Sequence, residues 1–180
     1  MEHQTAILIN DLLQHKSAAC QQLLAEYGPA VFRMVQRIVT CREDAEEVYQ
    51  DVFVKALRAI GGYDPHQASL ATWLSRIAYH EALNFVRGKK PAIIYMDDRD
   101  LGADTQEMPD EGPQDEETIR KLEQALAMLP PHEQAIVSMF YYDNMSIADM
   151  AYVAGSNPST VGSQLSRIRK KLYRIIKSMQ

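Results

Sequence analysis

The sequence predicts an all-α protein made of two small helical domains joined by an acidic flexible linker. Apolar residues recur at spacings of three and four along most of the chain, which is typical of amphipathic helices. No long stretch alternates apolar and polar residues as a half-buried strand does. Between residues 97 and 114 the apolar periodicity stops, and Gly and Pro stand among acids. We therefore expect a domain over 5–93, a linker over 94–114 and a domain over 115–180.

Composition places the 180-residue chain among ordinary globular proteins, with 46% apolar and 24% charged residues. There is no apolar run of about 18 residues to cross a membrane, and no basic segment precedes the short apolar run at the N-terminus. Cys20 and Cys41 form no CxxC pair, which favours reduced thiols over a metal site. We expect a cytoplasmic protein with no direct membrane insertion, no metal and no cofactor.

Charge is distributed unevenly. The net charge is −5, but residues 97–117 hold ten acids and one base, Arg99, and so carry −9. The remainder of the chain therefore carries +4. The C-terminal segment from Pro158 to Gln180 has six Lys or Arg residues and no acid. This local positive charge is what a phosphate backbone would meet.

The segment from Glu43 to Ile60 predicts a strongly amphipathic helix. A helix over residues 16–40 precedes it, with Gly28-Pro29 predicted as a joint or a new first turn. The polar face of the 43–60 helix contains one apolar residue. Either this face is solvated, or a partner helix docks on it with the apolar residue inside a polar rim. The face comprises Asp44, Glu47, Gln50, Asp51 and Val54.

The segment from Leu70 to Lys90 predicts a helix with one polar stripe, bordered by Trp73, the only tryptophan. A Gly-rich loop over 61–69, which contains an aromatic residue and a histidine, comes before it. The pattern suits a surface helix, and it also suits binding of splayed nucleotides and phosphates. The stripe comprises Thr72, Arg76, His80, Asn84 and Arg87, with Lys89 and Lys90 following.

The C-terminal part predicts a helix-turn-helix. Helices are expected over 118–129 and 133–142, and a capping-box-like start at Ser146 then leads into a short helix. Gly155 provides a turn and Pro158 suits the first position of a last helix. A helical hairpin with a basic solvated face is the alternative; the combined signals favour DNA. The outward side of the last helix comprises Ser159, Thr160, Ser163, Gln164 and Arg167.

In order and spacing, these motifs resemble the extracytoplasmic-function sigma factors of bacterial RNA polymerase. The resemblance runs from about Gln22 to Leu172 and rests on several moderately specific motifs in series. They are DAEEVYQDVFVKA from Asp44, ATWLSRIA from Ala71, EALN from Glu81, LPPHE from Leu129, SIADMA from Ser146, STV from Ser159 and LSRIRKKL from Leu165.

The resemblance implies a promoter-specificity subunit that is not itself an enzyme. The 43–60 face would bind the clamp of the largest polymerase subunit, and the acidic linker would run through the polymerase interior. An anti-sigma factor is a usual partner in the family. The minus-ten promoter element would be bound by Tyr63, Asp64, His66, Trp73, Arg76, His80, Asn84, Arg87, Lys89 and Lys90. The minus-thirty-five element would be bound by Ser159, Thr160, Ser163, Gln164, Arg167, Arg169 and Lys170.

Four positions depart from the family pattern. His80 stands where Asn is common, which changes the hydrogen-bonding inventory. Gly162 and Gln164 replace positions that are often Lys and Arg, so fewer charges should weaken the salt dependence of DNA binding. Gln134 replaces an expected Arg and is interpreted as structural. Two rival functions are weighed: a helix-turn-helix regulator that binds duplex DNA alone, and an enzyme, for which the sequence offers no nucleophile–base or metal constellation.

Overall fold

The computed structural model describes residues 2–89 and 116–179, and the regular secondary structure in this part of the chain is helical, with no strand. The predicted all-α class is therefore confirmed. The predicted linker 94–114 and Lys90 lie outside the described residues. The helices are α1 (Glu2–Leu13), α2 (Ser17–Ile38), α3 (Arg42–Ala59), α4 (Leu70–Lys89), α5 (Glu116–Ala127), α6 (Pro131–Tyr141), α7 (Ile147–Ala154) and α8 (Pro158–Ser178).

Helices α1 to α4 form the N-terminal half, in which α4 packs against both α2 and α3. The apolar face predicted for α3 is confirmed, because the apolar residues at spacings of three and four point inward. Burial of this face against α2 and α4 holds the polar face of α3 outward. The buried residues of α3 are Ala45, Val48, Val52, Phe53 and Ala56.

The predicted joint at Gly28-Pro29 is wrong, because α2 continues through both residues. The glycine is explained by packing instead. A Cβ built on Gly28 would lie 2.7 Å from the Tyr49 hydroxyl of α3, a distance that forces a shift. Gly28 therefore allows α2 and α3 to approach closely, and Tyr49 fills the space that a side chain would take.

Helix α1 was not predicted, although it completes the N-terminal half. Leu8 and Leu12 are buried, and α1 packs against α2 and the 3-10 turn Ile60–Gly62. Leu13 lies 3.6 Å from where a Cβ on Gly61 would stand. The first helix thus supports the start of the loop that leads into α4.

Helices α5 to α8 form the C-terminal half, and its helix ends are closed by side chains. Ser146 accepts a hydrogen bond from the Asp149 amide at 3.0 Å, and Asn157 accepts one from Thr160 at 2.8 Å. Gln134 donates to the Leu129 carbonyl at 2.8 Å, where it satisfies a group beyond the end of α5. The structural role expected for Gln134 is in agreement with this contact.

The two halves pack against each other rather than standing apart. Helix α7 lies on α4, and α6 lies on α2. Apolar residues of both halves belong to one continuous cluster of buried side chains. None of the helices in the two described segments is long and apolar enough to cross a bilayer.

Candidate nucleic-acid and polymerase interface

The polar face of α3 is open along most of its length. Glu47, Gln50 and Asp51 are exposed, and the Val54 side chain is exposed by 46%. Asp44 is the exception, since its carboxylate pairs with the Lys89 ammonium at 2.6 Å. Four of the five predicted residues are therefore free for a partner, and one is held by an ion pair to the end of α4.

The loop before α4 is ordered by its own polar groups. Asp64 accepts hydrogen bonds from the His66 amide at 2.9 Å and the Gln67 side chain at 3.0 Å. The His66 amide and then Gln67 lower the pKa of Asp64. Tyr63 donates its hydroxyl to the Ala68 carbonyl at 3.0 Å. Tyr63 and Asp64 thus shape the loop, while the His66 side chain is exposed at its tip.

Trp73 is buried, with only 9% of its surface exposed. Its position beside the polar stripe suggested an exposed ring on which a base could stack, and the structure does not have one. Its ring meets Tyr63 edge to face, with the centroids 5.6 Å apart. Such aromatic pairs add about 0.5–1.5 kcal/mol beyond area burial. The tryptophan therefore connects the loop to the helix and fixes the position of Tyr63.

The polar stripe of α4 divides into a covered part and an open part. Thr72 is only 7% exposed, and both Arg76 and His80 are partly buried. Asn84 and Arg87, one and two turns further on, are exposed. The predicted stripe is therefore accessible only at its C-terminal end in the described structure.

Helix α7 is what covers the first part of the stripe. Arg76 donates to the Tyr152 carbonyl at 2.9 Å, and its guanidinium lies 4.8 Å from the Tyr152 ring centroid. The His80 ring also lies against the end of α7, 3.8 Å from where a Cβ on Gly155 would stand. Burial first, and then the nearby Arg76 charge, lowers the pKa of His80. Sequence reasoning missed this arrangement, because no local pattern marks which helix packs across another.

The helix-turn-helix has the predicted turn. Gly155 adopts a left-handed conformation with φ of 65°, which favours glycine. Asn157 caps α8, and Pro158 is its first residue. Val161, Leu165, Ile168 and Leu172 are buried and form the inward face of α8.

The outward side of α8 is mostly open. Ser159, Thr160, Ser163 and Arg167 are exposed, whereas Gln164 and Lys170 are half-buried. Arg169 turns the other way and donates to the Tyr141 hydroxyl of α6 at 2.7 Å. The structure thus brings most of the predicted minus-thirty-five residues to one face, with Arg169 held against the domain.

Comparison with known families adds two matches, in chain order. Residues 23–91 match the family model described as Sigma-70 region 2, and residues 119–172 match that of Sigma-70, region 4. Together the two models cover more than half of the chain. The chain belongs to the sigma-70 family. In this sigma factor, region 2 runs from within α2 through α4, and region 4 runs from α5 into α8.

Curated relatives of the sigma factor include members of the extracytoplasmic-function (ECF) branch. It is 28% identical over 160 residues to the ECF sigma factor SigM of Mycobacterium tuberculosis, covering 88% of this chain and 77% of the relative. It is 24% identical to the sigma-H factor of Pseudomonas aeruginosa, covering 99% of this chain and 96% of the relative. It is 27% identical to the ECF sigma factor SigE of Mycolicibacterium smegmatis over 84% of this chain, which spans only 59% of that longer relative.

Two solved structures share the fold of this sigma factor. CnrH, in complex with the cytosolic domain of CnrY, superimposes with a TM-score of 0.67 at 21% identity, covering 97% of both chains. The sigma factor RpoE of Bartonella quintana, in complex with the anti-sigma factor NepR, superimposes with a TM-score of 0.62 at 22% identity, covering 87% of this chain and 96% of that one. The fold comparison therefore extends across both regions.

Regions 2 and 4 of the sigma factor are also joined by an ion pair away from the stripe. Arg37, near the end of α2, pairs with Asp143, after α6, at 2.7 Å, and both side chains are largely buried. The same guanidinium lies 5.1 Å from the Tyr142 ring centroid. Neither Arg37 nor Asp143 was singled out from the sequence, because isolated charges carry no signal of a partner 106 residues away.

Proposed function

We propose that this sigma factor binds core RNA polymerase, directs it to promoters with two recognition elements and assists melting of the start region. The observation that carries the proposal is the presence of both matched regions, in order, in one chain. The protein acts as a specificity subunit and is not itself an enzyme. It works in the cytoplasm, and it needs no cofactor.

The polar face of α3 is the proposed polymerase-binding surface. Its exposed Val54 lies among polar groups, as expected where a partner replaces water over an apolar centre and a polar rim. The partner in this proposal is the clamp of the largest polymerase subunit. The residues assigned to it are Asp44, Glu47, Gln50, Asp51 and Val54.

The loop 61–69 and α4 are proposed to hold the melted minus-ten element. Flipping a base out of the duplex costs a few kcal/mol, which stacking and phosphate contacts offset. Exposed His66, Asn84 and Arg87 support this role directly. The residues assigned to it are Tyr63, Asp64, His66, Trp73, Arg76, His80, Asn84, Arg87, Lys89 and Lys90.

The outward face of α8 is proposed to bind the minus-thirty-five element in the major groove. Short hydroxyl donors and a glutamine suit base edges, and the basic residues suit phosphates. Helix α7 would cross the phosphate backbone, as the first helix of this motif does. The residues assigned to this face are Ser159, Thr160, Ser163, Gln164, Arg167, Arg169 and Lys170.

The proposed division of labour follows the predicted boundaries. Residues 5–93 bind polymerase and the minus-ten element, residues 115–180 bind the minus-thirty-five element, and residues 94–114 connect them through the polymerase interior. An anti-sigma factor is the proposed regulatory partner, supported by the solved neighbour RpoE of Bartonella quintana, whose structure is a complex with the anti-sigma factor NepR. The expected finding is a purified partner that abolishes transcription in vitro, with the inhibition relieved by excess sigma factor.

In vitro transcription with core polymerase and a library of promoters tests the proposal. The expected result is enrichment of templates that share two short elements separated by a constant spacing. The rival function, a regulator that binds duplex DNA alone, predicts sequence-specific binding without polymerase and no enrichment of transcripts. A polymerase-free selection on the same library therefore separates the two functions.

A further inference from the structure

Helix α8 contains a glycine, Gly162, that the packing of the described chain does not explain. Glycine inside a helix is unfavourable relative to alanine, because it loses more backbone freedom on folding. Gly162 is the fifth residue of the 21-residue helix that begins at Pro158, so it lies beyond the cap and the first turn. The absence of a side chain at this position therefore destabilises α8 and needs a reason.

Two other glycines of the protein show what such a reason can be. At Gly28 a Cβ would lie 2.7 Å from the Tyr49 hydroxyl, and at Gly155 the backbone has a φ of 65°. Gly162 has neither feature, since its φ is not positive and its Cβ position is open. Apart from the surrounding backbone of α8, no atom of the described residues lies within 4 Å of that position. Alanine would therefore fit at residue 162 without any shift of the chain.

The surroundings of Gly162 place it beside the proposed minus-thirty-five face. Val161 and Leu165 are buried, with 0% and 4% of their surfaces exposed, and they hold this part of α8 against the domain. Ser163, the next residue, and Ser159, one turn earlier, are exposed and belong to that face. The N-terminal residues of the second helix of a helix-turn-helix are those that contact base edges. The missing Cβ therefore lies where α8 and a duplex would approach each other.

We propose that Gly162 sets how deeply α8 enters the major groove, with its bare backbone in van der Waals contact with the base-pair edges. The inference rests on the proposed function and adds a positioning residue to it. A side chain at residue 162 would hold α8 away from the groove. Hydrogen bonds from Ser159 and Ser163 to base edges would then lengthen, and such bonds weaken beyond about 3 Å. Gly162 therefore contributes to sequence discrimination without donating or accepting a hydrogen bond through a side chain.

Substitution of Gly162 should change stability and DNA recognition in opposite directions. Gly162→Ala removes an unfavourable residue from the helix, so it should raise the melting temperature of the free chain by about 2–4 °C. The same change should weaken sequence-specific binding by about fivefold. Gly162→Leu introduces another good helix former with a longer side chain, so it should also raise the melting temperature and weaken specific binding further. A purely structural role of Gly162 would predict lower stability in both variants.

The test uses holoenzyme reconstituted from core polymerase and the full chain. Transcription from the promoter library by the wild type first supplies one enriched promoter. Fluorescence anisotropy at constant salt then compares a labelled duplex of that promoter with a duplex in which the minus-thirty-five element is scrambled. The ratio of the two affinities should fall in Gly162→Ala and fall further in Gly162→Leu. Binding of the scrambled duplex should stay unchanged, because neither variant changes the charge.

Ala25→Leu is the matched control, because it enlarges an exposed small residue of a helix, α2, that has no assigned contact with DNA or polymerase. It should retain the wild-type ratio. Thermal unfolding followed by circular dichroism gives the melting temperature of each free chain.

An unchanged affinity ratio in Gly162→Ala and Gly162→Leu would overturn the positioning role of Gly162. A lower melting temperature in Gly162→Ala would also overturn it, because the glycine would then serve the fold. Wild-type holoenzyme that enriches no promoter would overturn the proposed function and this inference together. Wild-type enrichment combined with an unchanged ratio in the variants would overturn the inference alone.

Discussion

Helices α4 and α8 are both assigned to promoter DNA, yet the structure treats them differently. The stripe of α4 is covered over its first half by α7, whereas the outward side of α8 meets solvent. The buried faces of both helices follow the same apolar periodicity. Periodicity therefore separates the inner face from the outer face of a helix. It does not distinguish an outer face that is free from one that another helix occupies.

The largest expected effect is on polymerase binding, which the proposed roles of α4 and α8 at a promoter both require. Asp51→Arg puts a positive charge on the exposed face of α3, where the proposed partner contacts an acidic surface. We expect loss of co-purification with core polymerase and an unchanged melting temperature, because Asp51 is exposed. Glu123→Arg, which makes the same change at an exposed position of α5, is the control and should retain binding. Normal polymerase binding by Asp51→Arg would remove this assignment from α3.

The next effect tests α4 at its buried aromatic residue. Trp73→Ala should lower the free energy of unfolding by about 3–5 kcal/mol, since a large buried side chain is lost. It should also impair promoter opening more than polymerase binding, because the Tyr63 loop loses its support. Permanganate reactivity of promoter thymines measures opening. Trp73→Phe, which retains an aromatic ring, should recover most of the stability and most of the promoter opening. Equal permanganate reactivity in Trp73→Ala and wild type would contradict a role of Trp73 in opening.

A smaller effect compares two arginines of α8. Arg167 is exposed, so Arg167→Ala should reduce the salt slope of duplex binding by about one without altering stability. Arg169 is bound to Tyr141, so Arg169→Ala should lower stability and leave the slope nearly unchanged. Affinity measured against salt concentration distinguishes them. A reduced slope for Arg169→Ala would return that residue to the DNA-binding face.

The smallest effect concerns pH. Burial lowers the pKa of His80, so its protonation disfavours the packing of α7 on α4. The stability that neutral His80 contributes to this packing is fully present above its ordinary pKa, about 6.5. It is lost as pH falls through the lowered pKa. Small-angle X-ray scattering should therefore show a slightly larger radius of gyration below about pH 6. His80→Asn removes this titration while His132, whose pKa burial also lowers, remains as a background; identical pH profiles would exclude His80 as the cause.

The residues that sequence reasoning placed correctly are those whose environment is set locally. The Ser146 start of α7 and the Pro158 start of α8 follow from helix chemistry within a few positions. Gly28 was misinterpreted as a joint because its reason is Tyr49, on the next helix. The cover over Arg76 was missed for the same physical reason. Packing between helices distant in sequence depends on the shapes of two surfaces, which a single periodic pattern does not contain.

Arg76 has a consequence for how its substitution must be interpreted. The same guanidinium stabilises the packing of α7 on α4 through the Tyr152 carbonyl and, in the proposed function, the DNA complex. Replacing it weakens two competing states, so the measured affinity reports only the difference between the two losses. A nearly unchanged binding constant for Arg76→Ala is therefore compatible with a strong contact to DNA. Only a state in which α7 no longer packs on Arg76 exposes the full value of that contact.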